Sequence, residues 1–510
     1  MTTLVEGPDW SVRGLEQRSG RYPLQVEAPI LRVVELLVPG ISTVTRYIRY
    51  YALYSALAAH AARQGLDGAA CQRLLRRCEV VLAGVSLVHD HPERWPGMAH
   101  GIDRVRLSLG DQLELQPVAG VADKERSYSP RPWGFWAQYG GPSTTLGTIS
   151  IDDGALRPGR HACPVEVREL FTPLVRAADS DLLPTARLGE LASLAMQAAD
   201  LPEVPWLRGL FTAKREGRHD PQTWEPDDRR RRATFRMFGR ATLLHGSQAG
   251  GNWEECVRSA VAFGDQVEND PVLSALPHVL GWRGLLLRNY SVSAWRRLWA
   301  GLVRSIGSAE GEADRSHDEL RAWLVDEMPD ASLRVVLNEL PDTMAGGHPA
   351  PAERQVLETA GDRRDPLVNV KLLLLGGLRE RDLTGEARAT FLGTSNDILN
   401  PLWVSRLIVD HIDRPMHDLA ERLVDDMLTQ SRRVALAKMR PDGSGRMRVF
   451  SRIHERGGRY YKTGDEGDGD IGTRLHQVAD FARQLGLVAL ADDGTATVTP
   501  LGLELLEVGE

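Results

Sequence analysis

The chain has 510 residues, 42% of them hydrophobic, and a net charge of −7. This length suits about three domains with sizeable cores. The small acidic balance excludes a generally basic nucleic-acid coat but leaves room for a local basic patch. Five lysines stand against fifty-seven arginines, the mark of a GC-rich coding bias. Four cysteines, none in a CxxC pair, exclude a zinc ribbon. No apolar run approaches a membrane span, and MTTLVEGPDW has neither a basic nor an apolar leader region. The expectation is a cytoplasmic protein with no membrane partner.

Helical periodicity dominates from the N-terminal side. Pro39-Gly40 breaks the chain, Ser42 is placed to cap a helix, and that helix is expected to run to about Arg63. It would carry Tyr47, Tyr50, Tyr51 and Tyr54 at i, i+3, i+4, i+7, one stripe flanked by Arg46 and Arg49. Rings so aligned suit a helix–helix seam better than a base-stacking platform. Asp67 opens a second helix, ending near His89-Asp90-His91-Pro92, with Cys71 and Cys78 on its apolar face.

From 101 to 160 the texture changes. RVRLSL (104–109) and LELQPV (113–118) alternate around Gly110-Asp111 and predict a hairpin. The Gly- and aromatic-rich run 133–151 predicts loop plus strand. Helices return at 165–178, 185–199, 227–245, 252–267, 281–305, 317–328, 351–360 and 383–391. The second of two linker candidates, 306–318 and 345–353, is rich in Gly and Pro.

A long amphipathic helix is expected over about 415–440. TRLHQVADFARQLGLV (473–488) follows, with Thr473 as candidate cap and Leu475, Val478, Ala479, Ala482 and Leu485 buried. Two alternating runs then flank Asp493-Gly494, a tight-turn dipeptide. PLGLELL closes the chain as a helix. Helix, strand, turn, strand, helix resembles the end of a winged-helix domain, which implies either DNA binding or protein–protein contact.

Charge concentrates just before this segment. Between 430 and 462 stand Arg432, Arg433, Lys438, Arg440, Arg446, Arg448, Arg452, Arg456, Arg459 and Lys462, against only Asp442 and Glu455. Tyr460 and Tyr461 interleave. A basic run with aromatics is what phosphate-backbone contact requires. Asp492 and Asp493 at the turn would repel phosphate, so Arg474 and Gln477 at the helix start are the better readers there. A second cluster, DDRRRRATFR (227–236), reads as helix-surface charge paired with neighbouring acids.

Catalytic signatures are missing. GDGDIG (467–472) matches G-x-G-x-x-G, but no βαβ unit surrounds it and its aspartates would face a pyrophosphate. It reads as a flexible acidic loop. GGRYYKT has Tyr461 where a P-loop needs glycine. No lysine follows an acid at [DE]-x-K, and there is no HExxH or GxSxG. His89, Asp90 and His91 could bind metal with His100 but read more simply as histidines at a helix C-terminus. His411 and His417, six apart across a proline, share no helical face, so neither metal nor cofactor is expected.

PGISTVTRYIRYY resembles an N-terminal element, P-G-[IL]-[ST]-x-x-T-x-x-x-R-Y-[YF], of uncharacterised bacterial proteins from antiviral-defence or mobile-element gene clusters. The match rests on Pro39, Gly40, Ser42, Thr45, Arg49, Tyr50 and Tyr51. WGFWAQYGGPSTTLG resembles a second element of such proteins. The resemblance implies a context and supplies no catalytic residues.

The sequence thus predicts a mainly α, multidomain protein with a small β insertion and a C-terminal winged-helix-like domain. The expected division is 1–165, 166–400 and 401–510. The expected function is a non-enzymatic DNA-binding or scaffold component of a defence or genome-maintenance system, with double-stranded DNA and subunits encoded nearby as partners. The alternatives are a divergent metal-dependent nuclease or nucleotide-handling enzyme, and a protein-interaction adaptor without DNA binding.

Overall fold

The computed structural model describes residues 22–89, 99–129, 134–198, 201–214, 224–247, 250, 252–262, 264–307, 314–343, 351–394, 398–441 and 447–509. It is mainly helical, and the sheets among the described residues are small and antiparallel. The chain sorts into two units, each built from separate stretches. The first takes residues up to Val34 and Val257–Thr473, the second Glu35–Cys256 and Arg474–Glu510. Neither coincides with a sequential third of the chain.

In the second unit, PGIST forms a corner and not a helix start. Gly40 is left-handed at φ +81°, a conformation that a side chain would strain. The Ser42 N–H donates to Thr45 Oγ1, and the Thr45 hydroxyl donates back to the Ser42 carbonyl, both at 2.9 Å. Such local bonds compete with the helical ladder, so helix α1 (Arg49–Arg63) begins later than the sequence suggests. Tyr47 therefore lies before the helix. Tyr50, Tyr51 and Tyr54 are fully buried, with rings against Tyr139, Phe211 and Phe135. Each hydroxyl has a partner: Tyr51 donates to the Gly40 carbonyl at 2.7 Å, and Tyr50 accepts the His100 N–H at 2.8 Å. Tyr54 donates to Glu79 at 2.5 Å.

Glu79 lies on helix α2 (Gly68–Val88), whose N-cap Asp67 accepts the Ala70 N–H. Buried Glu79 also accepts the Tyr128 hydroxyl at 2.6 Å and the Phe135 N–H at 2.9 Å. Arg49, the first residue of α1, is buried with Glu203. Its Nε lies 2.6 Å from Glu203 Oε1, and its Nη1 donates to the Ser193 and Ala195 carbonyls. The four cysteines are buried and free.

The hairpin expected over 104–118 does not form. Ile102–Ser108 is a helix, and Gln112–Glu114 pairs with Leu182–Pro184. The helix buries Ile102 and Val105 at i, i+3 and leaves Leu107 81% exposed, so the apparent alternation marks no single sheet face. The small β element lies further on, where strand β1 (Ile149–Asp152) pairs with β2 (Ala155–Pro158) around Asp153-Gly154. The strand expected at the end of 133–151 is β1, but ahead of it, where loop was expected, Phe135–Tyr139 is a π-helical turn running into the helix Gly140–Leu146. The helix expected over 185–199 reduces to Thr185–Gly189 and a short 3₁₀ turn. Helix α3 (Pro226–His245) starts with a capping box between Glu225 and Asp228.

The first unit is organised by helix α4 (Val279–Ser305), which buries Trp282, Trp295 and Trp299. It packs against Gly385–Leu392 and against Pro366–Arg379, a helix not among those expected. Strand β3 (Asp314–Ser316) leads into helix α5 (His317–Val325), which packs on helix α6 (Met416–Lys438). Strands β4 (Ile453–Arg456) and β5 (Arg459–Lys462) form a hairpin, and β3 adds to the β5 edge. Of the linker candidates, 306–318 has only 308–313 outside the described residues and ends in β3 and the start of α5, whereas 345–353 lies outside them up to residue 350.

The C-terminal segment returns to the second unit. Helix α7 (Leu475–Gln484) buries the five residues expected, although its N-cap is Arg474 in a left-handed conformation and not Thr473. Strands β6 (Val488–Leu490) and β7 (Ala496–Val498) form the expected tight hairpin, and helix α8 (Pro500–Leu506) follows. The arginines of α3 hold this end in place. Arg232, Arg236 and Arg240, one turn apart, donate to the carbonyls of Leu505, Leu506 and Val508. Arg232 also pairs with Glu507 at 2.9 Å. These contacts satisfy carbonyls that a helix end otherwise leaves without partners.

Replacing Arg49 with alanine leaves the Glu203 carboxylate buried and unpaired. The expected loss is about 3–5 kcal/mol of stability, read as a lowered denaturant midpoint. A midpoint unchanged within error contradicts the role given to this pair.

Candidate nucleic-acid interface

The basic segment falls on the end of α6 and the β4–β5 hairpin of the first unit. Its residues divide into those whose charge is met internally and those whose charge is not. Arg432 faces Glu455 at 3.7 Å, and Arg452 faces Glu466 at 3.8 Å. Arg459 pairs with Asp314 at 2.7 Å and Glu319 at 3.4 Å. Lys462 is buried and pairs with Asp465 at 2.8 Å. Lys438 donates to the Tyr22 carbonyl at 3.1 Å, and burial lowers its pKa. Tyr461 is buried with its ring stacked on His454, whereas Tyr460 is half-buried.

Arg433, Arg440 and Arg456 differ. All three are exposed, and no carboxylate of a described residue lies within 4 Å of any of them. Arg440 rests over the Phe450 ring at 6.0 Å. Arg448, half-buried, lies directly opposite Arg440 in the pairing of Arg440–Pro441 with Met447–Arg448, and Arg456 lies opposite Arg459. Arg446 lies outside the described residues.

Arg474 and Gln477 belong to the second unit. Arg474 is mostly buried. It donates to the Ile41 carbonyl at 2.7 Å and sits 3.5 Å from Glu35. Gln477 is half-buried on α7.

Most of the compensating acids lie outside 430–462. Asp465, Glu466, Asp468 and Asp470 follow immediately, so a longer window would have revealed part of the balance. Asp314 and Glu319 arrive from a distant stretch through the β3–β5 pairing, for which the sequence gives no local signal.

Beside these residues opens a cleft of about 270 Å³, lined among others by Trp299, His317, Asp425, Arg432, Glu455 and Tyr460. Asp425 is gripped by both arms of Arg321, at 2.9 and 2.6 Å, and lies 2.8 Å from His317 Nε2. Burial acts to raise the Asp425 carboxyl, but the bonds from Arg321 and His317 outweigh it and hold the group below the usual carboxylate range. Burial and nearby Glu455 push the Tyr460 phenol up to about 12. Asp90 and His91 of the earlier histidine group lie outside the described residues, among which no three metal-capable side chains assemble. No described helix is long and apolar enough to cross a membrane.

No family model matches the chain, and neither a curated protein nor a solved structure matches it.

The lowered Asp425 pKa fixes the sign of a pH effect. Its stabilisation is present above the unfolded aspartate value, near 3.9, and is lost as pH falls through the lower folded value. Asp425→Asn should be less stable at pH 7 by about 1 kcal/mol, kept small by solvent screening. That gap should close below about pH 4. An equal gap at pH 7 and pH 3 in denaturant titrations contradicts this.

Proposed function

We propose that the protein is a non-enzymatic DNA-binding or scaffold component of a bacterial defence or genome-maintenance system, acting in the cytoplasm. It holds the phosphate backbone through the first unit. The observation that carries this reading is the exposed set Arg433, Arg440 and Arg456, whose charges no described acid meets. Two of the three also face another arginine across a strand pair. A bound phosphate supplies the counter-charge that these three arginines lack among the described residues. The resemblance of the PGISTVTRYIRYY and WGFWAQYGGPSTTLG elements supports the defence context, in which neighbouring gene products are the partners of a scaffold.

The C-terminal helix–hairpin–helix has the order of a winged-helix end, and we read it as a packing module of that kind. Arg474 is committed to Ile41 and Glu35, and the turn carries Asp492 and Asp493. Neither favours phosphate contact.

A second reading, nucleotide handling, is favoured by one observation: His317 is oriented by Asp425, itself clamped by Arg321, at the edge of a cleft. Nucleotide turnover by the purified protein that His317→Ala abolishes would favour it over the first.

The first reading is tested with a 20-base-pair duplex and the variant R433A/R440A/R456A. Three lost phosphate contacts should flatten the slope of log K against log salt by about 2.7, with weaker binding at low salt. Unchanged affinity and slope would sink it.

A further inference from the structure

The acidic loop Gly464–Gly472 is held in an unusual way. It makes no main-chain hydrogen bond with another described main-chain group. Its aspartates instead meet a set of arginines. Asp468 Oδ2 lies 3.1 Å from Arg304 and 2.7 Å from Arg364, and Asp470 pairs with Arg297. The Gly469 carbonyl accepts from Arg296 at 2.9 Å. Arg296, Arg297 and Arg304 all project from α4. Ile471, buried, anchors the far end, where its carbonyl accepts from Asn289 at 3.2 Å. A side-chain carbon added at Gly467 or Gly469 would meet nothing within 4 Å, so packing does not hold the loop at these positions.

We propose that Arg304 and Arg364, with Arg297 beneath, form a second phosphate-backbone site for DNA that the loop covers in the free protein. This rests on the reading above that the first unit binds DNA, and it adds a regulated extension of that surface. The loop lays alternating carboxylates along the arginines, as a nucleic-acid strand lays its phosphates. A segment without ladder hydrogen bonds opens at low cost, and ion pairs this exposed are weak and salt-sensitive. Arg304 is 37% exposed and Arg364 65% exposed. Removing the Asp468 charge therefore leaves both hydrated and strands no buried cation. Asp470 is the riskier target, because Arg297 beneath it is only 7% exposed.

The test uses the full chain, a 20-base-pair duplex, and the variants Asp468→Asn and D468N/R304A/R364A. Two newly available contacts should steepen the salt slope of Asp468→Asn by about 1.8, so that it loses roughly tenfold more affinity than the parent between 50 and 200 mM salt. The triple variant should return to parental behaviour. Thermal melts verify that both variants fold. If Asp468→Asn misfolds, R304A/R364A in the parent keeps the test open: unchanged DNA binding supports a covered site, and weakened binding overturns it. Parental binding with an Asp468→Asn slope identical to it overturns the covered site and leaves the exposed one standing. Binding by Asp468→Asn alone overturns the exposed site and supports the covered one. Absence of binding in both overturns both.

Discussion

A guanidinium withdrawn from water must be given oxygen atoms in exchange, and this chain withdraws many. Arg49 meets Glu203, Arg231 meets Asp228, and Arg379 meets Glu353, each pair nearly or wholly out of solvent. Arg76 has no acid partner among the described residues and spreads over the carbonyls of Ala119, Gly120 and Ser129 and the Ser127 hydroxyl. Breaking one side of such a pair strands a buried charge, which costs far more than the intact pair contributes. The planar fork of arginine suits this role where lysine's single ammonium does not. An arginine-rich composition thus becomes a building material for the interior.

The same accounting decides which charges are available for a partner. Asp314, Glu319, Asp465 and Glu466 meet Arg459, Lys462 and Arg452 within the first unit. The basic run that dominates the sequence is consequently much less basic as a surface. What it still presents is a small set on α6 and the strand ends. In the second unit the run 229–232 is likewise consumed: Arg231 closes on Asp228 and the Pro39 and Leu210 carbonyls, and Arg232 reaches toward the C-terminal helix.

Much of the architecture was legible. Helices 165–178, 227–245 and 281–305 follow from periodicity, because each has a wide apolar face. The C-terminal helix and hairpin follow from Leu475, Val478 and Ala479 and from Asp493-Gly494. Tyr50, Tyr51 and Tyr54 are core as their spacing suggests, but Tyr47 is half-buried and lies before the helix, which begins late because Ser42 and Thr45 bond each other first. The 104–118 hairpin was misread because alternation over six residues also fits a short helix with one exposed leucine. The candidate site was legible in its basic half and in the acidic loop that follows it in sequence. Asp314 and Glu319 arrive by strand pairing, a long-range event that leaves no local pattern.

The central claim is that part of the basic segment is internally compensated, with Arg432, Arg452, Arg459 and Lys462 each facing an acid. It is tested most directly by the salt dependence of duplex binding by the unmodified protein. The three arginines that no acid meets among the described residues predict a slope of log K against log salt of about −3. A slope near −9, the value for ten free basic residues, would mean that the internal pairs do not hold, and would contradict the account.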